Sequence, residues 1–179
     1  MKIYTKTGDR GDTRLFDGTK TRKDDPRVDA YGEVDELNAF IGASMAWLND
    51  AVLIAMLADI QRDLFSVGAQ LANPKSAEEK NERFHLDPRR IVVLEDAIDG
   101  FETELPPLRQ FILAGGCPPG ALLHVARTVC RRAERRVVEL AVRVAVDETV
   151  IRYLNRLSDF LFVLARLVNH RQGQQENPW

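Results

Sequence analysis

The chain has 179 residues, 45% of them apolar and 29% charged, the composition of one globular domain that buries roughly 70% of its unfolded surface. Its 25 Lys plus Arg against 27 Asp plus Glu leave a formal charge of -2. That balance argues against a general nucleic-acid binder, whose affinity rests on excess positive charge.

No window approaches 18 uninterrupted apolar residues, and the start, "MKIYTKTGDR", lacks the apolar core of a signal peptide, so no membrane association is expected. Cys117 and Cys130 have neither metal nor disulfide spacing and suit reduced thiols in a cytoplasmic protein.

The first 25 residues are polar and rich in Gly, Thr, Lys and Asp, with "KIYT" as the only strand-like run. At Pro26, which suits a first helical turn, a helical pattern begins and runs through "RVDAYGEVDELNAFIGASMAWL". A second helix covers "AVLIAMLADIQRDLFSVGAQL" and stops before the polar linker "NPKSAEEKNERFHLD". A third, "DPRRIVVLEDAIDGFETEL", starts from an Asp-Pro cap and ends near Pro106 and Pro107. The apolar run "RQFILAGGCPPG" breaks into Gly and Pro before a fourth helix, which carries five arginines in "HVARTVCRRAERRVVEL". The fifth is "DETVIRYLNRLSDFLFVLARLVNH", and the tail "RQGQQENPW" is irregular. The expected fold is an all-α up-and-down five-helix bundle with an irregular N-terminal segment. It forms one domain over 1–179, divided into an N-terminal loop (1–25), the bundle (26–171) and a tail (172–179).

At about 100° per residue, Leu122, Val125, Val129, Ala133 and Leu140 gather on one side of the fourth helix. Arg127, Arg131 and Glu134 fall nearly opposite, with Arg135 a little further round. On the fifth, Leu154, Leu157, Leu161, Leu164 and Val168 face the core, while Arg152, Asn155, Asp159 and Arg166 line another face. A solvated face laced with helix ion pairs is one reading of this stripe. A phosphate site is the other, because the arginine fork binds phosphate in a bidentate way where lysine would serve for solubility. The N-terminal "YTKTGDRGDT" supports the second: its glycines let backbone N–H groups turn toward an anion, and Thr and Lys add donors. Neither a Walker loop nor a GxGxxG after a strand occurs. The lone Glu82-x-x-His85 has metal-like spacing, but a di-iron bundle needs two such pairs, so no metal ligand is assigned.

"KIYTKTGDRGDT", "KDDPRVDAYGEVDELNAFIG", "FILAGG", "ARTVCRRAERRVVEL" and "IRYLNRLSDFLFVLAR", taken in this order, resemble the ATP:cob(I)alamin adenosyltransferases of the propanediol-utilisation type over nearly the whole chain. The resemblance implies a homotrimer of five-helix bundles with active sites between subunits. It also implies transfer of the 5′-deoxyadenosyl group of ATP to cob(I)alamin, giving adenosylcobalamin and triphosphate. Thr5, Lys6, Thr7, Gly8 and Thr13 match the family's ATP loop, and Lys23 matches a lysine near the triphosphate. Arg131, Glu134, Arg135 and Asn155 match nucleotide-contacting positions, and Arg131, Lys23 and Glu134 are the candidate catalytic residues. Mg²⁺ is implied as bound mainly through phosphates.

On the corrin side, Arg127 and Asp35 match an intersubunit pair. Phe111 matches an aromatic residue crowding the lower corrin face, and Asp159 follows the "NRLSD" pattern. Ala114 departs from the proline that many members carry. A corrinoid reductase and an adenosylcobalamin-dependent enzyme are further partners the resemblance implies. A non-catalytic ATP or corrinoid carrier of the same fold is the alternative, and a nucleic-acid binder is disfavoured by the charge.

Overall fold

The computed structural model describes residues 4, 6, 8–75 and 84–179. Two three-residue strands, β1 (Asp12–Arg14) and β2 (Lys20–Arg22), pair antiparallel as a small hairpin. Five helices follow: α1 (Pro26–Met45), α2 (Ala51–Ala72), α3 (Arg89–Glu102), α4 (Pro118–Ala141) and α5 (Glu148–Arg171). The hairpin is a correction to the sequence reading, which found a strand pattern only at "KIYT"; of that run only Tyr4 is described. Each strand is too short to show alternation, and the turn between them rests on Gly18, at φ 85°, and on Asp17, whose carboxylate accepts from the backbone N–H and hydroxyl of Thr19.

Three helices start where aspartates cap them. Asp25 accepts from the Arg27 N–H at 2.8 Å, Asp50 from those of Val52 and Leu53, and Asp147 from that of Thr149 at 2.8 Å. Each such cap contributes about 1 kcal/mol. At α3, Asp87 accepts from the Arg89 N–H at 2.9 Å, and the Asp-Pro pair stands immediately before the helix, with Pro88 at the N-cap. Two helices end earlier than the pattern predicted. α1 stops at Met45, where the chain must turn back toward the Asp50 cap. α3 stops at Glu102, where the Thr103 hydroxyl donates to the Gly100 carbonyl at 2.7 Å.

The helices alternate in direction. Asp29 meets Arg136 and Glu33 meets Arg132, so α1 and α4 run antiparallel. Glu95 meets Arg156 and Phe101 packs on Phe160, so α3 and α5 run the same way. α4 lies between α1 and α5, while α2 packs on α1 and α3 on α5. The core runs along all five helices, from Leu37, Ile41 and Leu64 to Leu123, Tyr153 and Phe160.

Within the core, the Tyr153 phenol donates to Asp63 at 2.9 Å, and Arg90 Nε reaches the same carboxylate oxygen at 2.7 Å. Burial pushes the Asp63 carboxyl above the usual carboxylate range even though both bonds favour its charged form.

The core face of α5 is as expected, with Leu154, Leu157, Leu161, Leu164 and Val168 all buried. That of α4 is as expected at Val129, Ala133 and Leu140 but differs at the helix's first turns. Leu123, Ala126, Val129, Cys130, Ala133 and Val137 are buried, whereas Leu122 is half-buried and Val125 is exposed. The angular pattern left out Ala126 and Cys130, because α4 is flanked by two helices and places small Ala and Cys where the backbones come close. Arg166 is a second correction. It lies not on an open polar face but buried, 3% exposed, where Nε meets Glu176 at 2.5 Å and Nη2 donates to the Pro106 carbonyl at 2.8 Å.

Candidate active site

The expected ligand residues form two patches and one projecting segment. The N-terminal patch is built on the hairpin. The Gly11 N–H donates to the Gly8 carbonyl at 3.1 Å, closing a turn, and the Lys23 N–H donates to the Gly11 carbonyl at 2.8 Å. Gly11 has φ 84°, and a Cβ at Gly8 would stand 3.3 Å from Lys23 Nζ, so the lysine ammonium lies directly beside the glycine turn. Lys6, at φ 61°, is exposed over the Tyr4 ring. Thr13 sits on β1 and bonds the Tyr31 phenol of α1. Thr5 and Thr7 lie outside the described residues, as does Glu82 of the metal-like pair.

The second patch is the outer face of α4 with the adjoining face of α5. Asn155 Nδ2 donates to Glu134 Oε1 at 3.1 Å, which ties the two helices together at the stripe. Arg135 Nη1 donates to the Arg131 carbonyl at 3.1 Å. Among the described residues the Arg131 guanidinium has no hydrogen bond and no carboxylate partner. Asp159 pairs with Arg156 one turn earlier on α5, at 2.9 Å.

Arg127 is different again. Its Nε is buried with no acceptor, its guanidinium carbon lies 5.8 Å from the centre of the Phe162 ring, and burial with the nearby Arg131 charge holds it below the usual arginine range. A buried donor with no partner costs roughly 1–3 kcal/mol, a penalty that the fold leaves at this position. Asp35 is exposed on α1 and is not joined to Arg127 within one chain.

The segment between α3 and α4 carries Phe111 in the open, 80% exposed, which excludes the ordinary-core role a lone Phe would suggest. Its backbone pairs with the tail: Leu113 N–H donates to the Asn177 carbonyl at 2.8 Å, and Trp179 N–H to the Phe111 carbonyl at 2.9 Å. The irregular tail therefore has a fixed place. No hydrogen bond or ion pair joins the N-terminal patch to the arginine patch among the described residues.

Sequence reasoning left three residues unassigned. His124, one turn before Arg127, is 4% exposed, and its Nδ1 has no partner. Burial, reinforced by the Arg127 charge, pushes it down to about 4, against a smaller opposing pull from Glu176. Phe162 stands between His124 and Arg127, its ring centre 6.0 Å from that of His124. Asn169 is 7% exposed near the end of α5. A polar residue interrupting an apolar stretch was the available signal in each polar case, and periodicity alone reads such a residue as part of the core.

The sequence profile of the family described as cobalamin adenosyltransferase matches residues 3–168. The corrinoid adenosyltransferase of Bacillus subtilis is 48% identical over 177 residues, spanning 97% of this chain and 89% of that one. The corrinoid adenosyltransferase PduO of Citrobacter freundii is 44% identical over 174 residues, and the match covers 97% of this chain but 52% of that protein. Among solved structures, a phenylalanine-to-alanine variant of the PduO-type ATP:corrinoid adenosyltransferase from Lactobacillus reuteri, complexed with cobalamin and ATP, superposes with a TM-score of 0.92 at 40% identity over 99% of both chains. The chain belongs to the cobalamin adenosyltransferase family.

Proposed function

We propose that the chain is a corrinoid adenosyltransferase that moves the 5′-deoxyadenosyl group of ATP to cob(I)alamin. The electron pair of cobalt(I) attacks C5′ and forms the Co–C bond, and the C5′–O bond breaks with its electrons leaving on triphosphate. The nucleophile comes with the corrinoid, so the protein has to supply position and charge. The observation that carries the reading is the outer face of α4, where Arg131 has no carboxylate partner among the described residues while Arg132 and Arg136, on the same helix, are both ion-paired.

In this reading Arg131, Arg135 and Lys23 stabilise the charge that builds on the departing triphosphate. Glu134 and Asn155, already bonded to each other, hold the nucleotide's polar groups, and the turn formed by Gly8 and Gly11 with Lys6 and Thr13 closes over the phosphates. Thr5 and Thr7 are assigned as hydroxyl donors to the same phosphates.

Mg²⁺ arrives on the triphosphate. Among the described residues no three His, Cys, Asp or Glu side chains gather as a cage, and phosphate oxygens with water meet its demand for hard ligands. The unpaired Arg127 and exposed Asp35 meet across a homotrimer interface, which brings the N-terminal patch of one chain to the arginine patch of the next. Phe111 and Phe162 face the corrin, with Asp159 at the rim of that site. Phe111 crowds the lower corrin face, excludes a lower ligand and leaves cobalt four-coordinate. The two free, buried thiols fit a cytoplasmic setting.

An anaerobic assay with ATP, Mg²⁺ and chemically reduced cobalamin tests the proposal. Adenosylcobalamin and triphosphate in equal amounts are the expected products. Saturable ATP binding without turnover would replace the enzyme by a nucleotide or corrinoid carrier.

A further inference from the structure

Phe111 belongs to a segment that has little to hold it in place by itself. Leu113 is 55% exposed, Ala114 stands where a proline would have restricted the chain, and Gly115 and Gly116 follow, the latter at φ 109°. A side chain on such a segment keeps one position only if something outside it supplies the restraint.

Asn169 supplies it. The side-chain amide reaches across from α5 and bridges the two sides of Gly116: Nδ2 donates to the Gly115 carbonyl at 2.9 Å, and Oδ1 accepts from the Cys117 N–H at 3.0 Å. The Cys117 thiol, at 3.0 Å, is a further donor to the same oxygen. Because a carbonyl only accepts and an N–H only donates, one amide orientation satisfies both. The fit is tight on two sides. A Cβ at Gly116 or at Gly120, in the first turn of α4, would overlap the Asn169 amide.

The same end of α5 grips the other end of the segment. The Asn169 carbonyl accepts from the Gln174 N–H at 2.9 Å as the chain turns at Gly173, φ 68°. Glu176 is then anchored on buried Arg166, and residues 177–179 pair with Phe111 and Leu113. Ala114 lies between the two grips.

We infer that Asn169 is a positioning residue for the corrin reaction. It sets where Phe111 stands by locking the Gly115–Cys117 turn to α5, and so takes over the restraint that Ala114 does not provide. The inference rests on the reading that Phe111 acts on the lower corrin face.

The test compares Asn169→Ala, Asn169→Asp, Gly120→Ala and Phe111→Ala with the parent enzyme. The readouts are the optical and paramagnetic signature of four-coordinate cob(II)alamin on the ATP-loaded protein, the turnover rate at saturating corrinoid, and the KM for ATP. Asn169→Ala is expected to lower the four-coordinate fraction per bound corrinoid and to slow turnover about tenfold or more, as a displaced positioning group does, with the KM for ATP unchanged. Asn169→Asp keeps the acceptor for Cys117 but loses the donor to Gly115, and falls between. Gly120→Ala displaces the amide without removing it, and shows the same signature as Asn169→Ala.

If Asn169→Ala does not fold, Asn169→Asp and Gly120→Ala decide the matter. A folded variant with reduced thermal stability but a parental four-coordinate fraction and rate makes Asn169 a packing residue and overturns the inference. Phe111→Ala separates the two readings. If it leaves the fraction unchanged, the role of Phe111 fails. If it abolishes the fraction while the other three variants do not lower it, only the role of Asn169 fails.

Discussion

Two faces of α4 carry the same side chain to different ends. Toward α1, Arg132 is bonded to Glu33 at 2.6 Å and to Glu36, and Arg136 to Asp29 at 2.9 Å and Glu139 at 3.1 Å. On the outer face, among the described residues, Arg131 has no acid partner, Arg135 bonds only a backbone carbonyl, and Arg127 has a buried Nε with no acceptor. Five arginines within ten residues thus divide by what surrounds them. Those that meet carboxylates align two helices of one chain. Those that meet none among the described residues leave their charge uncompensated, and it is these that the proposed site employs.

Replacement of Arg131 by Ala has the largest expected effect. Turnover falls about 10²–10³-fold, the range for removing a preorganised group that stabilises transition-state charge, while the melting temperature stays near that of the parent. Equal loss of activity in Arg132→Ala, measured in the same assay, would erase the distinction between the faces.

His124 sharpens the comparison through pH. Its folded value is depressed from 6.5 to about 4, so the native state holds it neutral and the unfolded chain takes up the proton first. Stability therefore declines as pH falls from about 6.5 to about 4, by about 3 kcal/mol in all, and this contribution changes no further below that window. Denaturant titrations across the range should show this limb in the parent and a flatter one in His124→Leu.

Lys23→Ala follows, with about a tenfold loss in kcat/KM for ATP, since one flexible cation contributes less than an ordered fork. Arg132→Ala is the smallest of the single substitutions, at about 0.5 kcal/mol of stability by thermal melts, because its ion pairs are partly exposed and screened.

Much of this was legible in advance. Apolar spacing and prolines placed five helices, and the order of the motifs pointed to the family. What escaped depended on contacts between distant segments. Arg166 was read as surface because its partners, Glu176 and the Pro106 carbonyl, lie in stretches with no periodicity. Val125 was read as core because the angular pattern joined it to Val129 and Ala133 and left out Ala126 and Cys130, the small residues that are buried instead. The hairpin was hidden because three-residue strands have no alternation to read. Asn169 received no assignment, and only the folded chain shows its amide filling the space that two glycines leave.

The hairpin also governs how freely the chain can be lengthened. Phe16, just beyond β1, donates its N–H to the Ala72 carbonyl at 3.0 Å and sets its ring edge-on to Phe84, 5.2 Å between centres. The Gln70 side chain holds the Phe84 carbonyl at 2.7 Å. The chain thus departs at Ala72 and comes back at Phe84 to one fastened point, and whatever lies between is a closed excursion. Doubling such an excursion adds only about 0.6 kcal/mol of closure entropy. By chain entropy alone, lengthening the connection between those two points therefore costs little.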